Sequence, residues 1–416
     1  MERNKLVKEG GSFTFTKSDE FNNPIVQVKF EYPWIRSDLE KSEASVIYRG
    51  KPLFRDLVTL NTGDGKKAFI ARLEEFRPSN DIADELYMDW RSFTEDCFGD
   101  VLDIFRHGSD PVRLTDVEVQ DSPDYQLQPY LVSNTVNTLF GTGSAGKSLT
   151  SLYWALLLDS GSVGPTGDKV PIQKTLILDY EDTAVNYKNR LEKLMRGMGL
   201  DEMGHRCHID YLRCTQPLIR EVGKIRKLKE SRGYDLIVVD SLGLACGGGL
   251  EDSESMNNFF NAMRQIIEED ATILLISHTN KNGELHGSAY IEHSSRSVYR
   301  VDTSRVSPSE IYIGLFHTKV NNVPKQAPSA YSIEFRDGIR YTKEVISNTP
   351  LAKNMQEEDL ALDIYENNNI SIDKVIEKVG DIKGKETEDI GTAVESAINR
   401  YSADQISLSP GERLIG

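Results

Sequence analysis

Cysteine is scarce in this chain: four among 416 residues, at Cys97, Cys207, Cys214 and Cys246, with no CxxC pair. That excludes a disulfide framework and fits a reducing compartment. No run of apolar residues approaches the ~20 needed to cross a bilayer as a helix. Residues 1–6 lack the apolar stretch of a secretory signal, so a cytoplasmic protein with no membrane partner is expected. Positive charge is in deficit, with 49 Lys and Arg against 65 Asp and Glu, a net charge of −16. A polyanion is held by Lys and Arg at the contact, so this balance disfavours a protein that coats nucleic acid over its whole surface. A local basic channel inside an acidic shell stays compatible with it. The hydrophobic and charged fractions, 38% and 27%, are those of a globular protein. The length allows two or three domains.

What the chain does have is a glycine loop in a telling context. Residues 141–148 read Gly141, Thr142, Gly143, Ser144, Ala145, Gly146, Lys147, Ser148. A short strand-like run, 136–140, precedes them, and an apolar helix-like stretch from Leu149 to Leu158 follows. Strand, glycine loop and helix in that order is the context of a phosphate-binding loop. Glycines let backbone N–H groups curl around phosphates, and the helix N-terminus adds its positive end. Gly141 to Leu149 are therefore the expected nucleotide-binding residues. Lys147 would reach the β- and γ-phosphates, and Ser148 would take a Mg²⁺ position. ATP and Mg²⁺ are the expected cofactors.

Along the chain, residues 1–110 read as a β-rich domain. Period-two alternation marks strands at 12–16, 25–32 and 44–48, and part of 68–73 follows the same pattern. A helix is expected over 84–106, with Leu86, Trp90, Phe93, Phe98, Leu102 and Phe105 on its apolar side. Gly108, Pro111 and Pro123 punctuate a linker, 111–124. Residues 125–345 then alternate strand and helix signals. Strands are expected at 175–180, 207–212, 235–240 and 272–277, and helices near 185–198, 219–231 and 256–269. That rhythm predicts an α/β domain with a mainly parallel sheet. Later strand signals at 297–301, 310–315 and 331–335 have no helices between them and predict an antiparallel extension. Residues 346–416 form an acidic helical tail, in which Leu360, Ile364, Val375 and Ile376 recur at helical spacing. His205, Cys207, His208 and Cys214 lie close enough in sequence to raise zinc, but 207–212 also reads as a core strand, and no metal is assigned there.

Three further positions give the loop a chemistry. Asp240 ends an apolar strand and precedes Ser241, where a carboxylate can serve Mg²⁺. Glu181 and Asp182 stand at the tip of the strand that follows the loop helix. That strand is expected to lie beside the phosphate loop, which would let Glu181 face the γ-phosphate and polarise a water. Acids also favour a helix N-terminus, a role that suits Asp182 and Thr183. His278 ends the next strand and is followed by Lys281, Gly287, Ser288 and Ala289. A histidine there can sense the γ-phosphate, although a lone histidine is often an ordinary core residue.

The loop, the Asp179–Asp182 stretch, Val238–Ser241 and Ser277–Lys281 together resemble the RecA-like ATPases, and within them the RepA-type hexameric helicases of plasmids and phages. The resemblance extends to Gly287, Ser288, Ala289 and Arg296, and to Lys319, Val320 and Asn321. It covers roughly 125–345. It implies a RecA-like core, ATP hydrolysis with Glu181 as base, Asp240 at the metal and His278 as sensor. It also implies homo-oligomeric rings of the hexameric kind, with Lys319 reaching a neighbour's nucleotide. Ring helicases of the broader class carry an arginine two residues after that lysine, where this chain has Asn321; Arg296 and Arg300 are the other finger candidates. In such proteins single-stranded DNA is gripped by the loops after the strand that ends in Asp240 and the strand that ends in His278, here 244–252 and 279–286. The first is glycine-rich but acidic, and the second offers Lys281 and His286. Neither has the basic and aromatic mixture of a strong single-strand platform. The expectation is a ring-forming DNA motor in replication or repair of a mobile element. The first alternative is a non-translocating recombination mediator or assembly switch, and the second a small-molecule kinase. Residues 1–110 read equally as a module that binds a protein partner, DNA or the neighbouring subunit and as a packing extension of the core.

Overall fold

The computed structural model describes residues 5–9, 11–18, 21, 23–36, 39–75, 90–107, 113–117, 124–267, 270–280, 283–287, 290–320 and 324–408. The chain divides into two compact units.

The first unit holds residues 1–118 together with 218–233 and 264–269. Five strands, β1 (Lys5–Glu9), β2 (Ser12–Ser18), β3 (Pro24–Arg36), β4 (Leu39–Tyr48) and β5 (Lys51–Thr59), pair in sequence order as an antiparallel meander. Alternate residues of β2 to β5 (Phe13, Phe15, Val26, Val28, Phe30, Ala44, Val46, Phe54) turn to one face, where α1 (Gly63–Glu75) and α2 (Trp90–His107) close the core. The strand expected in part of 68–73 is instead the middle of α1. Phe69, Ile70 and Leu73 are its buried residues, at a spacing that shares one face of a helix, and the alanines and lysines around them are good helix formers. The helix expected over 84–106 is found from Trp90 on; Leu86 lies outside the described residues, as do Gly108, Pro111 and Pro123. The same unit takes in α5 (Leu218–Arg232), a helix from the middle of the chain. The C-terminal half of β3 holds it: Arg226 donates to Pro33 O at 3.2 Å, Lys227 to Glu31 at 3.0 Å, and Tyr32 to Glu230.

The second unit begins with a small ribbon, β6 (Tyr125–Leu127) and β7 (Leu131–Val132), and is built on a nine-stranded sheet. Its strands are β8 (Val136–Gly141), β9 (Thr175–Asp179), β10 (Asp210–Arg213), β11 (Leu236–Asp240), β12 (Thr272–His278), β13 (Ser297–Ser307), β14 (Glu310–Val320), β15 (Ser329–Phe335) and β16 (Ile339–Glu344). The order is β10-β9-β11-β12-β8-β13-β14-β15-β16, parallel from β10 to β13 and antiparallel beyond. The central strands are buried on both faces, which is why they read as unbroken apolar runs rather than alternating ones. The strand expected at 207–212 is β10, which starts only at Asp210.

Helices α3 (Lys147–Ser160) and α4 (Ala184–Gly197) belong to this unit, with the short α6 (Leu242–Ala245) and α8 (Tyr290–Ser294); α7 (Ser253–Ile267) lies mostly within it. Leu149, Leu152, Leu156, Tyr187 and Leu194 from α3 and α4 pack on Leu139, Ile177, Val238 and Ile276 of the sheet. The tail folds as α9 (Glu357–Asn368), α10 (Ile372–Lys383) and α11 (Thr387–Leu408). It has a core of its own, in which Leu360, Ile364, Val375, Val379, Ile390, Val394 and Ile398 meet Phe316 of β14 and Ile346.

Candidate active site

The glycine loop leaves β8 and enters α3, and its backbone explains its composition. Gly141 pairs with Val301 of β13, and a Cβ at Gly141 would stand 2.5 Å from the Val301 carbonyl oxygen. Ser144 (φ 62°) and Gly146 (φ 82°) are left-handed, the conformation that turns consecutive N–H groups towards an anion. No side chain caps the start of α3, so its first N–H groups and its dipole face the loop. Thr142, Gly143 and Ser144 are exposed, whereas the side chains of Ala145 and Leu149 enter the core beneath. Of the residues expected to bind nucleotide, Leu149 can therefore contribute only its backbone.

Lys147 Nζ donates to Gly141 O at 3.0 Å and Thr142 O at 2.8 Å and lies 3.4 Å from His278 Nδ1. Burial lowers the pKa of Lys147, and the nearby Asp240 and Glu181 oppose that shift. His278 comes level with Gly141 because β12 pairs with β8 in that register. On its other side His278 Nε2 is 3.8 Å from Glu181 Oε1. Asp240, at the end of β11, is buried and accepts a hydrogen bond from the Tyr187 hydroxyl at 2.6 Å, with the Ser148 hydroxyl nearby. Desolvation raises its pKa, the two hydroxyls lower it, and the carboxylates of Glu181 and Asp179 raise it.

Contrary to the sequence expectation, β9 does not lie beside the phosphate loop; β11 and β12 stand between it and β8. Glu181 reaches the site by a different route. The buried Asp179, ending β9, accepts N–H bonds from Glu181 at 3.3 Å and Asp182 at 3.0 Å, which folds the chain into a tight turn. Beyond that turn Ser241 Oγ donates to Glu181 Oε1. Asp182 points elsewhere, accepting from Asn186 at 2.6 Å and pairing with Arg190, and Thr183 is the residue that caps α4.

Lys147, Ser148, Glu181, Asp240 and His278 thus converge; Lys319 does not join them within this chain. It pairs with Val298, and Val298 with Thr138, three residues short of Gly141 along β8. Its Nζ donates to Ser295 O at 3.3 Å and to Glu292 O, at the end of α8. Arg300 bonds Asp302 at 3.1 Å and lies over the Phe316 ring. Lys281, Ser288, Ala289 and Asn321 lie outside the described residues. Loop 244–252 opens with α6, followed by Gly247 at φ 74° against Pro217. Loop 279–286 closes on itself through Asn280 and Glu284. His205 and the His208 backbone N–H bond the buried Asp159, at 2.6 and 2.8 Å, while Cys214 follows β10 at the Asp179 carbonyl.

Sequence reading missed Tyr187 and Tyr211, and it noted Ser241 only as the residue after Asp240, without its contact to Glu181. Tyr211 Oη donates to Asp179 at 2.6 Å. The only signal for Tyr187 is its place in the apolar stripe Tyr187, Leu191, Leu194 of α4, which reads as plain core. The oxygen donors Ser148 and Asp240, which lie close together, suit Mg²⁺, which takes one or two protein ligands beside phosphate oxygens. Among the described residues no group of three or more His, Cys, Asp or Glu could hold a metal by itself. No helix of the described residues is long and apolar enough to cross a membrane.

A family model described as an AAA domain matches residues 106–284, less than half of the chain. No curated protein matches the chain. The matched span holds the loop, Glu181, Asp240 and His278, and with them the chain carries an ATP-binding domain of the P-loop ATPase type.

Proposed function

We propose that the P-loop ATPase domain is a RecA-like motor that hydrolyses ATP with Mg²⁺ and works as a homo-oligomeric ring on single-stranded DNA, in replication or repair of a mobile element. The observation that carries the catalytic part is the placing of His278 between Lys147 Nζ, at 3.4 Å, and Glu181 Oε1, at 3.8 Å. One side chain then touches both the group that binds the γ-phosphate and the carboxylate that would take a proton from the attacking water. Lys147 and the loop N–H groups hold and orient the phosphates. Glu181, steadied by Ser241, receives the water's proton as the oxygen attacks in line. Ser148 and Asp240 would hold Mg²⁺, which supplies charge neutralisation at the phosphate oxygens when bound. His278 passes the loss of the γ-phosphate to the loop behind it, since His286 N–H donates to His278 O at 2.9 Å. The resemblance to RepA-type helicases supports the ring and DNA parts of this reading. It also supports Lys319 as a group acting on the neighbour's nucleotide.

The second reading keeps the ATPase and drops translocation, making the protein an assembly switch. The net charge of −16 favours it, as does a loop 244–252 that carries Glu251 and Asp252 and no Lys or Arg. Steady-state ATP hydrolysis with and without single-stranded DNA, at low salt and at about 150 mM, separates the two. Strong, salt-sensitive stimulation supports the motor. A rate indifferent to DNA removes it and directs attention to a protein partner of residues 1–110.

A further inference from the structure

We infer that Tyr187 is a positioning residue for the metal-binding carboxylate, its hydroxyl fixing the rotation of Asp240 in the arrangement that Mg²⁺ requires. The inference rests on the reading of Ser148 and Asp240 as the metal-holding pair. Tyr187 Oη donates to Asp240 Oδ2 at 2.6 Å, and both residues are buried. A buried tyrosine ordinarily satisfies its hydroxyl on any near carbonyl. Here the acceptor is the carboxylate at the tip of β11, and the bond is charge-assisted and correspondingly stronger.

The ring is held so that the hydroxyl has little freedom to swing away. The Arg190 guanidinium covers it 4.5 Å from its centroid, and the Tyr211 ring packs against it at 5.4 Å. Tyr211 is itself tied by its hydroxyl to Asp179 at 2.6 Å and to the Asp182 carbonyl at 3.2 Å. Tyr187 also sits in the first turns of α4, the helix that follows Glu181. The segment carrying the base and the carboxylate serving the metal are thereby joined through one phenol. Partners that orient metal-binding carboxylates are a recurrent requirement of metal sites, because a ligand free to rotate loses affinity to the entropy of being fixed.

The test compares wild type, Tyr187→Phe, Asp240→Asn and the double variant by two readouts that need no turnover. The first is fluorescent ADP binding in EDTA; the second is Mn²⁺ binding to the ADP-loaded protein, followed by electron paramagnetic resonance. Tyr187→Phe keeps the ring and removes only the hydroxyl. It is expected to bind ADP in EDTA as wild type does, and to bind Mn²⁺ about tenfold more weakly. In the Asp240→Asn background the same change is expected to add nothing. Mn²⁺ affinity equal to wild type in Tyr187→Phe overturns the inference while leaving the site reading intact, provided Asp240→Asn has lost affinity. Loss of ADP binding in EDTA also overturns it, because the tyrosine then serves packing in general. Mn²⁺ binding unaffected by Asp240→Asn overturns the reading of the metal pair itself, and the inference with it.

Discussion

His278 Nε2 stands 3.8 Å from Glu181 Oε1, although the strands that carry them are not neighbours. β11 runs between β9 and β12 and ends in Asp240, with Ser241 next in the chain. The meeting of Glu181 and His278 therefore depends on the turn after β9, on the Asp179 carboxylate that folds it, and on the Ser241 hydroxyl that donates to Glu181.

If Glu181 is the base, Glu181→Gln removes proton acceptance and keeps the shape. The variant is expected to bind ATP as tightly as wild type and to hydrolyse it at least ~100-fold more slowly. Single-turnover hydrolysis beside equilibrium ATP binding measures both quantities. A glutamine variant with a normal single-turnover rate would assign the base elsewhere.

Ser241→Ala leaves Glu181 in place and removes the donor that holds it. A hydrogen bond to a charged group contributes about 1.5–3 kcal/mol, so kcat is expected to fall roughly ten- to a hundredfold while KM for ATP stays near its wild-type value. Ser241→Thr, which keeps a hydroxyl, should recover part of the rate. Equal losses in kcat and in ATP affinity would show that Ser241 serves the binding loop instead.

Gly141→Ala puts a methyl group 2.5 Å from a backbone oxygen of the paired strand, and neither strand is free to withdraw. The expected cost is about 1–3 kcal/mol of stability, read as a lower urea midpoint. Unchanged stability would mean that β8 and β13 can separate locally.

In the first unit Glu31 is a hub, bonded to Lys227 at 3.0 Å and Arg55 at 2.7 Å and paired with Lys29 at 3.4 Å. Burial raises its pKa, but the hydrogen bond and charge of Lys227, then Arg55 and Lys29, prevail and hold it below the usual 4.5. For an acid whose folded pKa is lowered, the stabilisation is present above the unfolded pKa and is lost as pH falls through the folded one. Glu31→Gln should therefore cost about 1 kcal/mol or less at pH 7, since the cationic partners are half exposed. The difference between variant and wild type should hold down to about pH 4.5 and shrink as pH falls below it. A difference that stays constant over that range would locate the effect in packing.

Much of the site was legible from local signals. The glycine loop needs a strand before it and a helix after it, and all three are contiguous in sequence. Asp240 and His278 could be placed because buried parallel strands are continuous apolar runs whose polar ends fall at their tips. Residues 68–73 misled because a short apolar run fits strand and helix alike. There the meander face needed covering, and Phe69, Ile70 and Leu73 cover it from a helix.

The sequence by itself determined the P-loop, the βα alternation and the chemistry available at each strand tip, because each depends on residues within one turn or one strand. Only the tertiary structure decided which tips meet. Strand order is set by how crossovers pack, and it put β11 and β12 between Glu181's strand and the loop. It also decided that Tyr187, a core residue by its spacing, would spend its hydroxyl on Asp240, and that Lys319 would lie away from its own chain's loop. Those are contacts between segments distant in sequence, fixed by register and burial, and no local pattern records them.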